Sequence, residues 1–185
     1  MRAIEDLVSE HRAVLVALRI MERIERALAS GDAAARAHLE EVLDFLKGFV
    51  DRCHHGKEED VLFPEMERRG VPREGGPIGV MLAEHQAGRG HIRAMAEGLE
   101  RLKGGDAAAA AAIREASAAY RGLLEAHIAK ENSVLFPLAD RLVPDDVAAE
   151  MYERFEAIER DRVGVGKHEA YHAMLHRLEE SYGVT

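Results

Sequence analysis

The stretch His54-His55-Gly56-Lys57-Glu58-Glu59-Asp60-Val61-Leu62-Phe63-Pro64 is written again, on the same skeleton, as His127-Ile128-Ala129-Lys130-Glu131-Asn132-Ser133-Val134-Leu135-Phe136-Pro137. Each copy has a His-x-x-x-Glu unit followed by Leu-Phe-Pro, and each is preceded by a Glu-His pair, Glu10-His11 and Glu84-His85. The Glu-His pairs lie 74 residues apart, as do the steps Gly31-Asp32 and Gly105-Asp106, whereas the His-x-x-x-Glu units lie 73 apart. A half-unit has been duplicated. What recurs is His and Glu, residue types that hold metal ions, so the pattern points to a symmetric site of four histidines and two carboxylates.

Outward from these units the chain reads as helix. Ile4, Leu7, His11, Val14, Leu18 and Met21 recur at steps of three and four residues until Ser30-Gly31. Asp32 is a good N-cap for a second helix carrying Leu39, Val42, Leu43, Leu46, Val50, His54 and Val61, which Pro64 is expected to end or kink. After the Gly- and Pro-rich loop at 70–77, a third helix holds Ile78, Met81, His85, Ile92, Met95, Leu99 and Leu102. Gly104-Gly105-Asp106 repeats the turn and cap, and Ile113, Tyr120, Leu124, His127, Glu131 and Val134 mark a fourth helix up to Pro137. The expected fold is all-α: an internally duplicated, up-down-up-down four-helix bundle over residues 1–142, with a C-terminal extension, 143–185, packing on it as two extra helices near 145–161 and 167–182.

Composition agrees. The chain has 185 residues, 47% of them apolar, no Trp, and enough length to bury a core without covalent staples. A formal charge of −9 argues against nucleic acid or an anionic membrane as partner, since either needs a basic face. Cys53 is the only cysteine, which excludes an internal disulfide framework and a thiolate zinc site. No apolar run approaches the ~18 residues of a membrane span, and the N-terminus lacks the charged head and apolar middle of a secretion signal. The expected setting is the cytoplasm; no protein partner is legible.

His85 lies in the seven-residue series Ile78, His85, Ile92, Leu99, and His127 in Ile113, Tyr120, His127, Val134, which places both on the seam facing the bundle interior; His11 falls likewise between Ile4 and Leu18. A single histidine there is ordinarily a neutral core residue with a hydrogen-bonded neighbour. Four at duplicated positions, together with glutamates, are better read as ligands. Residues four apart share a helix face, so His54 with Glu58 and His127 with Glu131 can each aim at one ion. His55 and Glu59 form a competing pair about 100° around the helix. Glu58 to Phe63 and Glu131 to Phe136 are both five residues, which aligns His54 with His127 and leaves His55 and Glu59 at the boundary of the buried face, Glu59 within reach as a bridging group or a partner behind a ligand. Six nitrogen and oxygen donors, His11, His54, Glu58, His85, His127 and Glu131, suit a pair of first-row ions, iron first and manganese or zinc next. Two adjacent ions with open positions would accept O₂, peroxide, NO or a bridging oxide.

These motifs, from His11 through Pro137, resemble the hemerythrin-like proteins that carry the HHE cation-binding domain, over residues of about 4–140. The resemblance implies a four-helix bundle holding two non-haem irons with an oxo or hydroxo bridge, on the same six ligands. There are departures. Oxygen-carrying hemerythrins have two histidines four apart on the third helix, where this chain follows His85 with Arg89, and an aspartate five residues after the last histidine, where this chain has Glu131 four residues after His127. The symmetric His/Glu pattern is closer to the repair-of-iron-centres proteins and iron-sensing hemerythrin domains. The implied roles are sensing or handling of O₂, peroxide, NO or iron, with peroxidase, catalase or NO-related activity as the enzymatic forms. Arg89 speaks against reversible O₂ carriage. The alternative is a helical interaction module with a structural or vestigial metal site.

Four further residues stand near this pattern. Tyr120, one heptad before His127, is a candidate ligand or hydrogen-bond donor to one. In the extension, His168 and His172 lie one turn apart at metal-binding spacing, with Glu159 as a weaker candidate of the same kind.

Overall fold

Turns set the direction of every helix. The computed structural model describes residues 1–184, and in it Gly31, at φ 80°, and Gly105, at φ 95°, occupy the left-handed region that a Cβ disfavours. Each closes the same hydrogen-bonded cap. Asp32 N–H donates to Ala27 O at 3.0 Å and Gly31 N–H to Leu28 O at 3.1 Å; Asp106 N–H donates to Arg101 O and Gly105 N–H to Leu102 O, both at 3.1 Å. The next residue then starts a helix: Asp32 accepts from Ala34 N–H at 2.9 Å, and Asp106 from Ala108 N–H at 3.1 Å.

Six helices make up most of the described residues, with no strand among them. Helix α1 (Arg2–Ala29), α2 (33–68), α3 (Pro77–Lys103) and α4 (109–142) form the up-down-up-down bundle, followed by α5 (Asp145–Arg162) and α6 (Lys167–Tyr182). The second and fourth helices are not α-helical throughout. In α2, π-helical stretches span Leu46–His55 and Glu58–Leu62; in α4 a single π turn spans Glu131–Leu135. A π turn bonds residue i to i+5 and holds one more residue than an α turn. Here lies the cause of the uneven repeat. Asp32 to His54 is 22 residues and Asp106 to His127 is 21, and the stretch Leu46–His55, without counterpart in α4, takes up the difference.

Pro64 and Pro137, expected to end or kink their helices, sit in the first turn of the α-helical segments Phe63–Arg68 and Phe136–Leu142, and both helices run on past them. Each proline follows a π turn, where the hydrogen-bonding pattern changes and its missing N–H costs least. The carbonyl of Asp60, four residues before Pro64, accepts from Arg154 Nη2 of α5 at 2.9 Å.

The core has two apolar clusters with a polar layer between them. One contains Val14, Leu18, Phe45, Phe49, Ile92, Met95, Ile113 and Tyr120; the other contains Ile4, Leu7, Phe63, Met66, Ile78, Met81, Leu135 and Phe136. Along every bundle helix the switch from one cluster to the other falls at a His/Glu step: His11, His54 to Glu58, His85, and His127 to Glu131. The extension shares both clusters, Phe155 of α5 joining one and Tyr171, Leu175 and Leu178 of α6 the other. Each large apolar side chain buried this way contributes roughly 1.5–3 kcal/mol, which fixes α5 and α6 against α1 and α2.

Candidate metal centre

The polar layer is built from all four bundle helices. α1 supplies Glu10 and His11, α2 supplies His54, His55, Glu58 and Glu59, α3 supplies Glu84 and His85, and α4 supplies His127 and Glu131. The four aligned histidines are at most 2% exposed, and Glu58 and Glu131 are fully buried. Their Nε2 atoms face one another in pairs, His11 to His54 at 3.0 Å and His85 to His127 at 3.1 Å. The glutamates span the pairs. Glu131 lies 3.2 Å from both His11 Nε2 and His127 Nε2, and Glu58 lies 3.6 Å from His54 Nε2 and 3.3 Å from His85 Nε2.

Behind each of these rings an oxygen acceptor engages Nδ1. Glu10 Oε2 holds His54 Nδ1 at 2.7 Å, Glu84 Oε2 holds His127 Nδ1 at 2.8 Å, Glu59 Oε1 holds His85 Nδ1 at 2.7 Å, and Asn132 Oδ1 lies 2.9 Å from His11 Nδ1. An Nδ1–H committed to an acceptor leaves Nε2 with the lone pair, aimed inward, as a metal ligand requires. The glutamates of the repeated Glu-His pairs therefore act across helices. Glu10 is fastened in turn by Lys57 at 2.5 Å, and Glu84 by Lys130. Both lysines precede the ligand glutamate of their unit, so these supporting residues were part of the repeat all along.

Burial, then the neighbouring His11, pushes the His54 pKa well below its ordinary value, and burial, then His85, does the same for His55. Both shifts favour the neutral ring. Burial and the charge of Glu131 drive the Glu58 carboxyl well above the carboxylate range. Glu131 goes the other way: burial opposes ionisation, but His11 and His127 hold its pKa well down. Burial likewise works against ionisation of Glu59 and Glu84, and is outweighed by His85 and Arg89 at the first and by Lys130 and His127 at the second.

Among the described residues no hydrogen-bond donor is aligned on any of the four carboxylate oxygens of Glu58 and Glu131, although all are buried. An acceptor left so costs about 1–3 kcal/mol, more when charged, and a cation removes that cost. Besides Glu10, Cys53 and Glu159, two sets of donor atoms lie within 4.8 Å of one another and contain histidines: His11, His54, Glu58 and Glu131, and His55, Glu58, His85 and His127. With Glu58 common to both, the donors fit metal cations of the kind that nitrogen and oxygen ligands prefer.

The structure thus brings the six residues expected as ligands into one layer and sets a seventh side chain with a donor nitrogen beside them. His55, which the alignment of the repeats set at the boundary, is 4% exposed and stacks on His85 with ring centroids 3.8 Å apart. The cause is the π-helical turn, whose smaller angular step lets two successive residues face inward. Glu59 stands behind His85. Arg89, where O₂ carriers keep a histidine, binds Asp51 and Glu59, each at 2.7 Å. Tyr120 is buried in the apolar cluster with Phe45, Phe49 and Ile92, and among the described residues its hydroxyl has no hydrogen-bond partner. Glu159, His168 and His172 lie outside the layer, joined to it through Lys57, 3.4 Å from Glu159. No helix among the described residues is long and apolar enough to cross a membrane.

Comparison with known proteins fits this geometry. The family pattern described as "Hemerythrin HHE cation binding domain" matches residues 2–139. The chain is also similar, at 26% identity over 180 residues, to an uncharacterised protein of Mycobacterium bovis and to two of Mycobacterium tuberculosis, with 97% of this chain and 70% of each relative aligned. No solved structure matches it. Since the family match takes in both His/Glu half-units and most of the chain, this protein belongs to the hemerythrin family and carries its HHE cation-binding domain.

Proposed function

We propose that the chain is a cytoplasmic non-haem di-iron protein that senses or handles a small oxidising ligand, O₂, peroxide or NO. The observation that carries this reading is the pair of glutamates, each buried without a donor and each reaching a histidine of both Nε2 pairs. Shared carboxylates between two imidazole sets are what a dinuclear centre needs, one ion on His11 and His54, the other on His55, His85 and His127. When bound, such ions supply Lewis acidity and redox capacity toward a small anion or diatomic. The chain's own part is to hold the imidazoles by Nδ1, to balance metal charge with Glu58 and Glu131, and to keep water out by the apolar clusters above and below.

Metal analysis of anaerobically purified protein tests it. The expected content is about two irons per chain, with new visible absorption after oxidation. Glu58→Ala, which strikes the carboxylate common to both donor sets, is expected to abolish loading of both ions with helicity retained. Colourless, metal-free protein from iron-rich medium would sink the proposal. Unchanged metal content in His54→Ala and His127→Ala would favour an interaction module instead.

One observation keeps reversible O₂ carriage as a second reading. His55 supplies a fifth imidazole, so the histidine count no longer separates this layer from that of the carriers, Arg89 notwithstanding. A colour change that reverses on removal of O₂ identifies a carrier; irreversible oxidation identifies a sensor or an enzyme.

A further inference from the structure

Within the buried layer His54, His127 and His85 share one local arrangement: an acidic side chain on Nδ1 of a histidine whose Nε2 faces a second Nε2 about 3 Å away. It occurs once more outside the layer. His168 Nδ1 is 2.7 Å from Glu159 Oε1 of α5, and His168 Nε2 is 2.9 Å from His172 Nε2, one turn along α6. The rings stack at 4.8 Å between centroids, and the edge-to-face ring of Phe49 backs both, at 5.2 and 6.4 Å. Two imidazoles whose Nε2 atoms converge, one of them oriented by a carboxylate, match the ligand-and-support pattern of histidine metal sites.

We propose that His168 and His172 form a separate, mononuclear site for a divalent first-row ion of borderline softness such as zinc, nickel or copper. Imidazole nitrogen favours that class over calcium or magnesium. His172 is exposed and borders an open cleft of about 420 Å³ lined by Ser9, Arg12, Val16 and His176, so water can complete the coordination. Two ligands from one helix turn need no movement of the fold to bind. Glu159 is also 3.4 Å from Lys57, which holds Glu10 behind His54, so the outer pair and the buried layer share one chain of polar contacts without sharing a ligand.

The test is zinc uptake by the full chain as isolated, followed by equilibrium dialysis, in wild type and in His168→Ala/His172→Ala. The difference is the readout, so the result does not depend on how many ions the buried layer holds. Wild type is expected to take up one equivalent more than the double variant, and Glu159→Gln to keep that equivalent at roughly 10–100-fold weaker affinity. With Cu²⁺, paramagnetic resonance is expected to show nitrogen couplings that vanish in the double variant. His172→Ala, at an exposed position, repeats the measurement with least disturbance to α6. Equal uptake by wild type and either variant with α6 folded, or copper spectra without nitrogen coupling, would overturn the proposal.

Discussion

At His54 and His127 a single carboxylate decides which ring nitrogen is free. Glu10 and Glu84 occupy Nδ1, and Lys57 and Lys130 keep those carboxylates in place. Glu84→Gln is therefore expected to lower metal affinity about 10–100-fold at unchanged helicity, measured by competition with a chelator. Unaltered affinity would mean that the carboxylate does not set the ring. In the proposed dinuclear centre, His55→Ala is expected to weaken an ion on His85 and His127 more than one on His11 and His54, because only the former donor set contains His55; metal retention during stepwise chelation reads the difference. This residue was the one most easily misjudged. Its neighbour His54 satisfies the repeat, and nothing in the identity of residues 50–60 announces that the turn is wide enough to bring both inward.

At the level of elements, the glycines of α3 separate packing from propensity. A Cβ on Gly98 would lie 2.7 Å from Ile113 Cγ1 of α4, whereas one on Gly90 would meet nothing within 4 Å. Overpacking costs about 1–3 kcal/mol, against roughly 1 kcal/mol gained from replacing a helical glycine by alanine. Denaturant unfolding is thus expected to show Gly98→Ala destabilised and Gly90→Ala stabilised by about 0.5–1 kcal/mol. A loss of stability in both would rule out the close α3–α4 approach as the cause. Helix α6 is fastened by Tyr171, whose hydroxyl reaches the Asp44 carbonyl and carboxylate at 3.3 and 3.2 Å. Burial, then the Asp44 charge, pushes its pKa from 10.0 up to about 12. A raised folded-state pKa gives stability that is fully present below pH 10.0 and is lost as the pH rises through about 12. Tyr171→Phe is expected to flatten the alkaline fall in stability between those limits.

Across the whole molecule, the His/Glu layer joins two apolar clusters, so metal occupancy and global stability are linked. A ligand at 100 times its Kd stabilises by about 2.7 kcal/mol, and each kcal/mol moves Tm by roughly 2–4 °C in a chain of this size. Stripping the metal is expected to lower Tm by about 5–10 °C in calorimetry; an unchanged Tm would mean that the layer is stable without a cation. The helical bundle and the ligand types were legible from the residues alone, because three- and four-residue spacing and a duplicated His-x-x-x-Glu unit are local properties of a chain. Even the signal for the wide turns was present, in the steps of 74 and 73 residues, but a missing residue does not say where it is absorbed. Tertiary structure decided that the surplus sits in Leu46–His55, that His55 joins His85, that Glu10 and Glu84 hold the histidines of the next helix, and that both prolines are passed without a break. Each of those outcomes depends on which partner a backbone or side-chain group finds across a helix interface, and that choice is made by packing rather than by the neighbours along the chain.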